Sequence, residues 1–346
     1  MRYDLIVIGA GAAGLSAAVA GALHGTVALV EAEALGGGYV RRDVPAAFWH
    51  RVAGPLYGAR CLLDGPMRPG DELTFAALAA QRDAAVRAWR VRAERILAEM
   101  GVEILYGRGR VLAPGLVGVD GGAGEILLVG ENIIVATGTY CRSGCGGGRM
   151  VALEEALALR ALPCSAVVAG SDAPARTLAL VLAVWGIPVH LVAEGEGVAA
   201  VRRLLEGAGV RVHAGAVTGI CEDEAGVTVR LPDGTCLRAD VAVVDVPGVP
   251  ATAGLGLEEL GVAVAPGGTI AVNARMETSV PGVFAAGRAA GAPSTQTAVW
   301  EGLVAAYNAC GWPLVLRAEA AADMDITPFD AAGFYGIVSV DFGMPS

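Results

Sequence analysis

The chain opens on an apolar run, Tyr3 to Ile8, which breaks at Gly9-Ala10-Gly11-Ala12-Ala13-Gly14. An Ala-rich stretch continues to about Leu23, and a second apolar run, Thr26 to Val30, ends at Glu31. Short continuous apolar runs bounded by turn residues read as buried parallel strands, so the pattern predicts strand, turn, helix, strand. In such a βαβ unit Gly9 permits the tight turn, Gly11 lets backbone amides approach a pyrophosphate, and Gly14 lets helix and strand pack closely. Glu31, 22 residues after Gly9, is placed to accept hydrogen bonds from an adenosine ribose. Every part of a dinucleotide fingerprint is therefore in order.

Beyond a Gly-rich turn at Leu35-Gly36-Gly37-Gly38, the pattern predicts helices over Pro45–Leu63 and Phe75–Met100. The second interleaves Arg82, Arg87, Arg90, Arg92 and Arg95 with Asp83, Glu94 and Glu99, which reads as a solvated face of mixed charge. Strands are expected at Glu103–Leu105, Gly118–Val119, Glu125–Val129 and Asn132–Val135, before Ala136-Thr137-Gly138-Thr139. A second αβ unit begins near Met150. It runs through a strand at Ser165–Ala169, a loop Gly170–Ala175, a helix Arg176–Trp185 and a strand Pro188–Val192 that ends near Glu194. A helix near Val198–Ala208 follows, then short strands around Cys221, Val227–Leu231 and Cys236–Leu237, the last two joined by a Pro232-Asp233-Gly234 turn. The same supersecondary form thus occurs twice. The chain goes on through Val280-Pro281-Gly282-Val283-Phe284-Ala285-Ala286-Gly287-Arg288 to a helix near Thr297–Cys310.

A length of 346 residues, 54% hydrophobic and 17% charged, suits about two domains with large cores and excludes disorder as the main state. The net charge of −10 argues against a nucleic-acid surface. All 25 basic residues are Arg, which removes Schiff-base and lysine general-base chemistry. Leu5–Val30 is uncharged over a membrane-spanning length, but its Gly turns break it, as Gly186 and Pro188 break Thr177–Ala193. With no basic leader ahead of it, the pattern predicts a cytoplasmic protein with no transmembrane segment and no signal peptide. Seven Cys without paired zinc-type spacing speak against a secreted disulfide framework.

The order of the Gly9–Glu31 fingerprint, the Leu35-Gly36-Gly37 turn, Ala136-Thr137-Gly138 and the Val280–Gly287 run resembles the pyridine nucleotide–disulfide oxidoreductases typified by dihydrolipoamide dehydrogenase. The resemblance covers most of residues 3–312. It implies an α/β fold of two Rossmann-like dinucleotide-binding domains, the second inserted into the first. Residues 1–149 and 265–312 would form the FAD-binding domain, 150–264 an NAD(P)-binding-like domain, and 313–346 a tail. FAD would be held by Gly9, Gly11, Ala13, Gly14, Glu31, Gly37, Gly38, Thr137, Gly138, Gly287, Arg288 and Thr295. NAD(P)H would meet Gly170, Asp172, Ala175 and Glu194.

The departures from that family carry functional information. The relatives place two redox Cys and a Lys after the Gly-Gly turn; here Gly37 to Ala47 contains none, and thiol–disulfide exchange needs an attackable sulfur beside the flavin. Tyr39, Arg41, Arg42 and Asp43 take that stretch and are the candidates for the substrate side, with a surface ion cluster on Asp43 as the alternative. Asp172 stands where the second fingerprint has its middle Gly, adding bulk and a like charge beside a pyrophosphate. Arg288 replaces the relatives' ribityl-binding Asp and would pair with FAD phosphates instead. The relatives' C-terminal interface domain, with its His–Glu pair, has no counterpart before Ser346, and no His follows His213.

Other chemistry is sparser. Cys141 and Cys145 are a candidate for a relocated redox pair. Cys221 and Cys236 lie on adjacent strand-like segments and would suit a structural disulfide; Cys61, Cys164 and Cys310 read as small core residues. His24, His50, His190 and His213 show no metal-ligand spacing. The leading expectation is an FAD-dependent oxidoreductase or electron-transfer flavoprotein without thiol–disulfide chemistry, served by a small-molecule or protein electron donor and acceptor. The alternatives are a non-catalytic flavin-binding or fold-only subunit, docking a protein through Trp300, Trp312 and Phe334–Val338, and an NAD(P)H-dependent flavin reductase or oxidase.

Overall fold

The computed structural model describes residues 1–63, 74–122, 124–140, 148–245 and 248–315. The chain begins β1 (Arg2–Ile8), α1 (Ala12–Ala22), β2 (Val27–Glu31), α2 (Val44–Leu63) and α3 (Phe75–Glu99), with a π-helical turn at Tyr39–Asp43 leading into α2. It continues through β3 (Glu103–Tyr106), β4 (Arg108–Ala113), β5 (Leu116–Asp120), β6 (Glu125–Val135), β7 (Thr139–Tyr140), β8 (Met150–Ala152) and α4 (Leu153–Leu157). Next come β9 (Ala166–Ala169), α5 (Ala173–Val184), β10 (Val189–Val192), α6 (Glu196–Gly207) and β11 (Val210–His213). The last elements are β12 (Gly219–Asp223), β13 (Gly226–Arg230), β14 (Cys236–Ala239), β15 (Val241–Val244), β16 (Val249–Pro250), β17 (Val283–Ala285) and α7 (Thr295–Ala309).

The chain divides into two compact units. Unit 1 takes Met1–Tyr39, Arg90–Tyr140 and the chain from Gly248; unit 2 takes Val40–Trp89 and Cys141–Pro247. This differs from the expected boundaries of 1–149 with 265–312 against 150–264. Trp49 on α2 stacks on Phe75 of α3 at 5.2 Å, and both rings meet Trp185 edge-on, so α2 and the start of α3 belong to the core of unit 2. Residues 248–264 belong to unit 1, where β16 pairs with β7 and Leu257 and Val262 join the core.

In unit 1 the sheet order is β3-β2-β1-β6-β5-β4, with β17 also on β6. Strands β3, β2, β1 and β17 run parallel, in register Leu5↔Val27, Ile8↔Val135 and Val283↔Ile133. The two strands expected at Glu125–Val129 and Asn132–Val135 are one, β6, pairing antiparallel with β5 and then parallel with β1. Gly130 permits this continuity, because a Cβ there would meet Ile6 Cδ1 at 2.8 Å. On one side α1 and α7 approach so closely that a Cβ on Gly302 would lie 2.1 Å from the Ala13 carbonyl oxygen.

Unit 2 is a five-stranded parallel sheet, β11-β10-β9-β15-β8, with the antiparallel β12-β13-β14 meander packed over it through Val227, Val229 and Leu237 against Val167 and Val192. Helix α5 begins at Ala173, three residues earlier than the expected Arg176, because Asp172 caps it and Pro174 fits its first turn. Arg82, expected on a solvated face, is 1% exposed. Its guanidinium donates to the Leu157, Ala158 and Leu159 carbonyls at the end of α4, pairs with Asp83 and lies 5.6 Å from the Trp49 ring centre. Cys221 and Cys236 form no disulfide, since β13 lies between their strands. Cys164 is exposed rather than in the core, and Cys310 is half-buried.

Candidate functional site

Two crevices lie where parallel sheets place ligands, beyond the carboxyl ends of strands at a reversal of strand order. In unit 1, β1 has β2 on one side and β6 on the other. Gly9 turns the chain with φ +102°, and a Cβ there would strike the Ala136 carbonyl oxygen at 2.5 Å. Gly14 is still tighter, its Cβ position lying 1.7 Å from the Gly9 oxygen, whereas nothing stands within 4 Å of that position on Gly11. Gly11 caps α1 without a side-chain hydrogen bond, which leaves the first-turn amides and the positive end of the helix open to an anion. The Gly36-Gly37 turn rests on this loop: Gly36 N–H donates to the Ala10 oxygen at 2.8 Å, and Gly37 has room for no side chain without crowding Gly11.

Glu31 closes the rim of this crevice. Its Oε2 accepts from Ala10 N–H at 2.7 Å and its Oε1 from Glu33 N–H at 2.8 Å, so the carboxylate is already oriented. Thr137 Oγ1 is buried without a hydrogen-bond partner, a hydroxyl that calls for a polar ligand atom or water. Gly138 has φ +71° with open space around its Cβ position, as has Gly38. Gly287 (φ +75°) lies against Ala13, its N–H donating to Glu301 Oε2 at 2.8 Å. Burial pushes the Glu301 carboxyl up to about 7, while the Gly287 hydrogen bond pulls it the other way. Arg288 is exposed, and Thr295 opens α7, which Ser294 caps through Thr297 N–H. An open helix end, an oriented acid and an orphaned buried hydroxyl fit a dinucleotide in unit 1.

The crevice of unit 2 lies between β9 and β15 and is filled from within. Asp172 Oδ1 accepts from Ala175 N–H at 3.0 Å, and its Oδ2 accepts from Arg42. The same guanidinium bonds both oxygens of Asp245 at 2.8 Å and reaches Glu154 Oε1 at 3.1 Å. Burial works against the charge of Arg42, but its hydrogen bonds to Asp245 and Asp172 outweigh that and hold its pKa above the ordinary value. Arg42 thus pairs with three acids from separate parts of unit 2, where a surface cluster on Asp43 was the expected alternative. Gly170 packs against Ala175 and Asp245, and Glu194 is exposed at the end of β10, its N–H held by Ser171 Oγ at 2.9 Å.

A family model described as pyridine nucleotide-disulphide oxidoreductase matches residues 3–302. The chain belongs to this family. Similar members include a dihydrolipoyl dehydrogenase of Thermus scotoductus, 32% identical over 89% of this chain and 71% of that one. An NAD(P)H dehydrogenase (quinone) of Mycobacterium tuberculosis is 30% identical over 65% of this chain. The chain spans only about half of that relative, 51%. Among solved folds, LpdA from Mycobacterium tuberculosis superposes with a TM-score of 0.79 at 24% identity, covering 92% of this chain and 74% of that one. Membership makes the chain one of a family of FAD-dependent oxidoreductases, in line with the unit 1 crevice.

Several contacts were not legible as candidates. Asp245 and Glu154 join Arg42, and the hint for Asp245 is its place just past a strand's carboxyl end. Glu301 is 8% exposed on α7, where Asn308 is the other buried polar side chain among the described residues. His190 and His213 meet across β10 and β11 with Nδ1 and Nε2 2.8 Å apart, and burial holds both below the ordinary imidazole range. Among the described residues no group of three or more His, Cys, Asp or Glu is arranged to hold a metal ion. No described helix is long and apolar enough to cross a membrane. Trp300, expected at a docking surface, is 8% exposed, whereas Trp312 lies open beside His24. Cys141, Cys145, the Cys61 side chain and Phe334–Val338 lie outside the described residues.

Proposed function

We propose that the chain is an FAD-dependent electron-transfer oxidoreductase that works without thiol–disulfide exchange at the turn after Gly38. The observation behind this reading is an open dinucleotide cradle joined to a stretch, Gly37 to Ala47, that carries no sulfur. FAD supplies the redox chemistry when bound, and the chain's part is to hold, orient and tune it. Gly9, Gly11, Ala13 and Gly14 present the α1 amides to the pyrophosphate, and Glu31 receives ribose hydroxyls. Gly37, Gly38 and Gly138 leave room for backbone approach, and Thr137 Oγ1 gains the partner it lacks. Gly287 keeps the late segment against α1, where exposed Arg288 pairs with phosphate and Thr295 faces the flavin end. Tyr39, Arg41 and Asp43 stand in sequence where the relatives have the redox Cys, and Tyr39, which belongs to unit 1, is the candidate for the substrate side. A small molecule or a protein electron carrier serves as donor and acceptor.

The test begins with the chromophore. Purified protein is denatured and the released flavin identified, and the bound flavin is reduced with dithionite and reoxidised. The expected result is FAD, reversibly reduced. No FAD after reconstitution refutes the reading. Robust lipoamide turnover that depends on Cys141 and Cys145 refutes its thiol-free half, and a bound flavin inert to every donor favours a non-catalytic subunit.

A further inference from the structure

Both units carry the same device, a strand, a tight turn and a helix whose N-terminus faces the crevice at the reversal of strand order. They use it in opposite ways. In unit 1 Gly11 caps α1 with no side chain, so the helix end is available. In unit 2 the cap is Asp172, whose carboxylate takes Ala175 N–H itself and so spends a donor that a pyrophosphate would need. Asp172 also brings a negative charge to that place. Its partner Arg42 does not cancel the charge, because it shares its single positive charge among Asp172, Asp245 and Glu154. One guanidinium against three carboxylates leaves the cluster two charges negative.

The cluster is partly sheltered from solvent, the side chains being 17% (Arg42), 22% (Asp245) and 34–35% (Glu154 and Asp172) exposed, so salt and water screen it incompletely. A dinucleotide entering here would have to displace Arg42 or lay its own phosphates beside Asp172 and Asp245. Removing Arg42 would strand carboxylates that are partly desolvated, which is strongly unfavourable. The residues present therefore do not fit the pyridine nucleotide that membership of the family implies.

We infer that Arg42, locked between Asp172 and Asp245, is a built-in occupant of the pyrophosphate position in unit 2, so that this unit takes no NAD(P)H. Resting on the flavoprotein reading above, the consequence is that electrons reach the flavin from a donor that carries no nicotinamide dinucleotide. The closing of unit 2 stands whether or not unit 1 holds FAD.

The experiment titrates NADH, NADPH and ADP-ribose into the whole 346-residue chain, with its flavin content measured separately. Calorimetry gives affinity, and amide hydrogen exchange over residues 166–175 reports where binding occurs. The wild type should show no saturation and a Kd weaker than about 1 mM. Asp172→Gly, which reopens the helix end, should tighten NADH at least about tenfold and protect 166–175, a gain of about 1.4 kcal/mol. Asp172→Asn keeps a capping side chain while removing the charge, and gives a gain of the same sign should the Gly variant fail to fold. Saturable wild-type binding with protection at 166–175 overturns the inference. If that binding is lost in Arg42→Gln, Arg42 is a phosphate ligand instead. Folded variants of Asp172 that gain nothing overturn the assignment of the cluster as the block. A protein without FAD that also refuses NADH sinks the flavin reading and leaves this one standing.

Discussion

Glu301 offers a direct test of the energetics of unit 1. It lies on α7 with 8% exposure, accepts one backbone hydrogen bond from Gly287, and is pushed by burial from an ordinary 4.5 up to about 7. A carboxyl raised in the folded state stabilises through the proton it holds. That contribution is complete below pH 4.5, falls as pH rises toward 7, and is gone above it. The full swing is the raised interval times 1.36 kcal/mol per pH unit, so at most about 3 kcal/mol. Glu301→Gln keeps an acceptor for Gly287 N–H and removes the titration. Relative to wild type, the variant should therefore gain stability between pH 5 and pH 8, by about 2–3 kcal/mol. Urea titrations at the two pH values, read by pulsed hydrogen exchange in peptides of α1 and α7, follow unit 1 without unit 2. The depressed His190–His213 pair works in the opposite sense, lending stability that disappears as pH falls, but it is common to both proteins and cancels in the difference. A wild-type-to-variant difference that stays constant between pH 5 and pH 8 refutes the reasoning.

Glu31→Ala should weaken FAD retention by about 1.5–3 kcal/mol through lost charged hydrogen bonds, read as the fraction of flavin surviving dilution and gel filtration. Gly14→Ala should yield protein without flavin or without a stable unit 1, because its Cβ would overlap the Gly9 oxygen; normal flavin content in the purified variant would contradict this. Arg82→Met should cost unit 2 about 3–5 kcal/mol in a urea titration, since it takes the buried guanidinium from the Ala158 and Leu159 carbonyls, while Leu157 keeps Trp49 Nε1 and Asp83 keeps Arg160. Cys221→Ser and Cys236→Ser should leave the melting temperature unchanged with and without reductant, as their strands are not neighbours.

The first thirty residues announced their own fold because the turn, the helix start and the two strands are each set by neighbours a few residues away. A glycine required by a positive φ or by contact with the Gly9 oxygen is written into the sequence at the place where it acts. The start of α5 was missed for a local reason of another kind, since Gly170–Ala175 reads as a loop until Asp172 is seen to cap a helix. Arg82 and Arg42 were unreadable for a non-local reason. On α3 the alternation of Arg with acids is that of a solvated helix, and only the carbonyl ends of α4, some 75 residues away, make Arg82 a buried donor. Arg42 finds its acids 112 to 203 positions along the chain. Lone charges in a charged run give no sign of such partners, and the boundary between the units shifted for the same reason, through aromatic contacts of α2 and α3 that no periodicity records.

The same physics joins Asp172 and Glu301. Each is a carboxylate placed where the family's scaffold offers a backbone N–H at a dinucleotide crevice, and each accepts one. Asp172 pairs with Arg42, and that pairing holds a guanidinium in the crevice. Burial lifts the Glu301 carboxyl to about 7, so it is fully neutral only well below that pH. An anionic pyrophosphate then meets an open helix end in one unit and two excess negative charges in the other. In this reading a fingerprint's fit to its nucleotide turns less on the count of its glycines than on whether a side chain already takes the helix-end N–H.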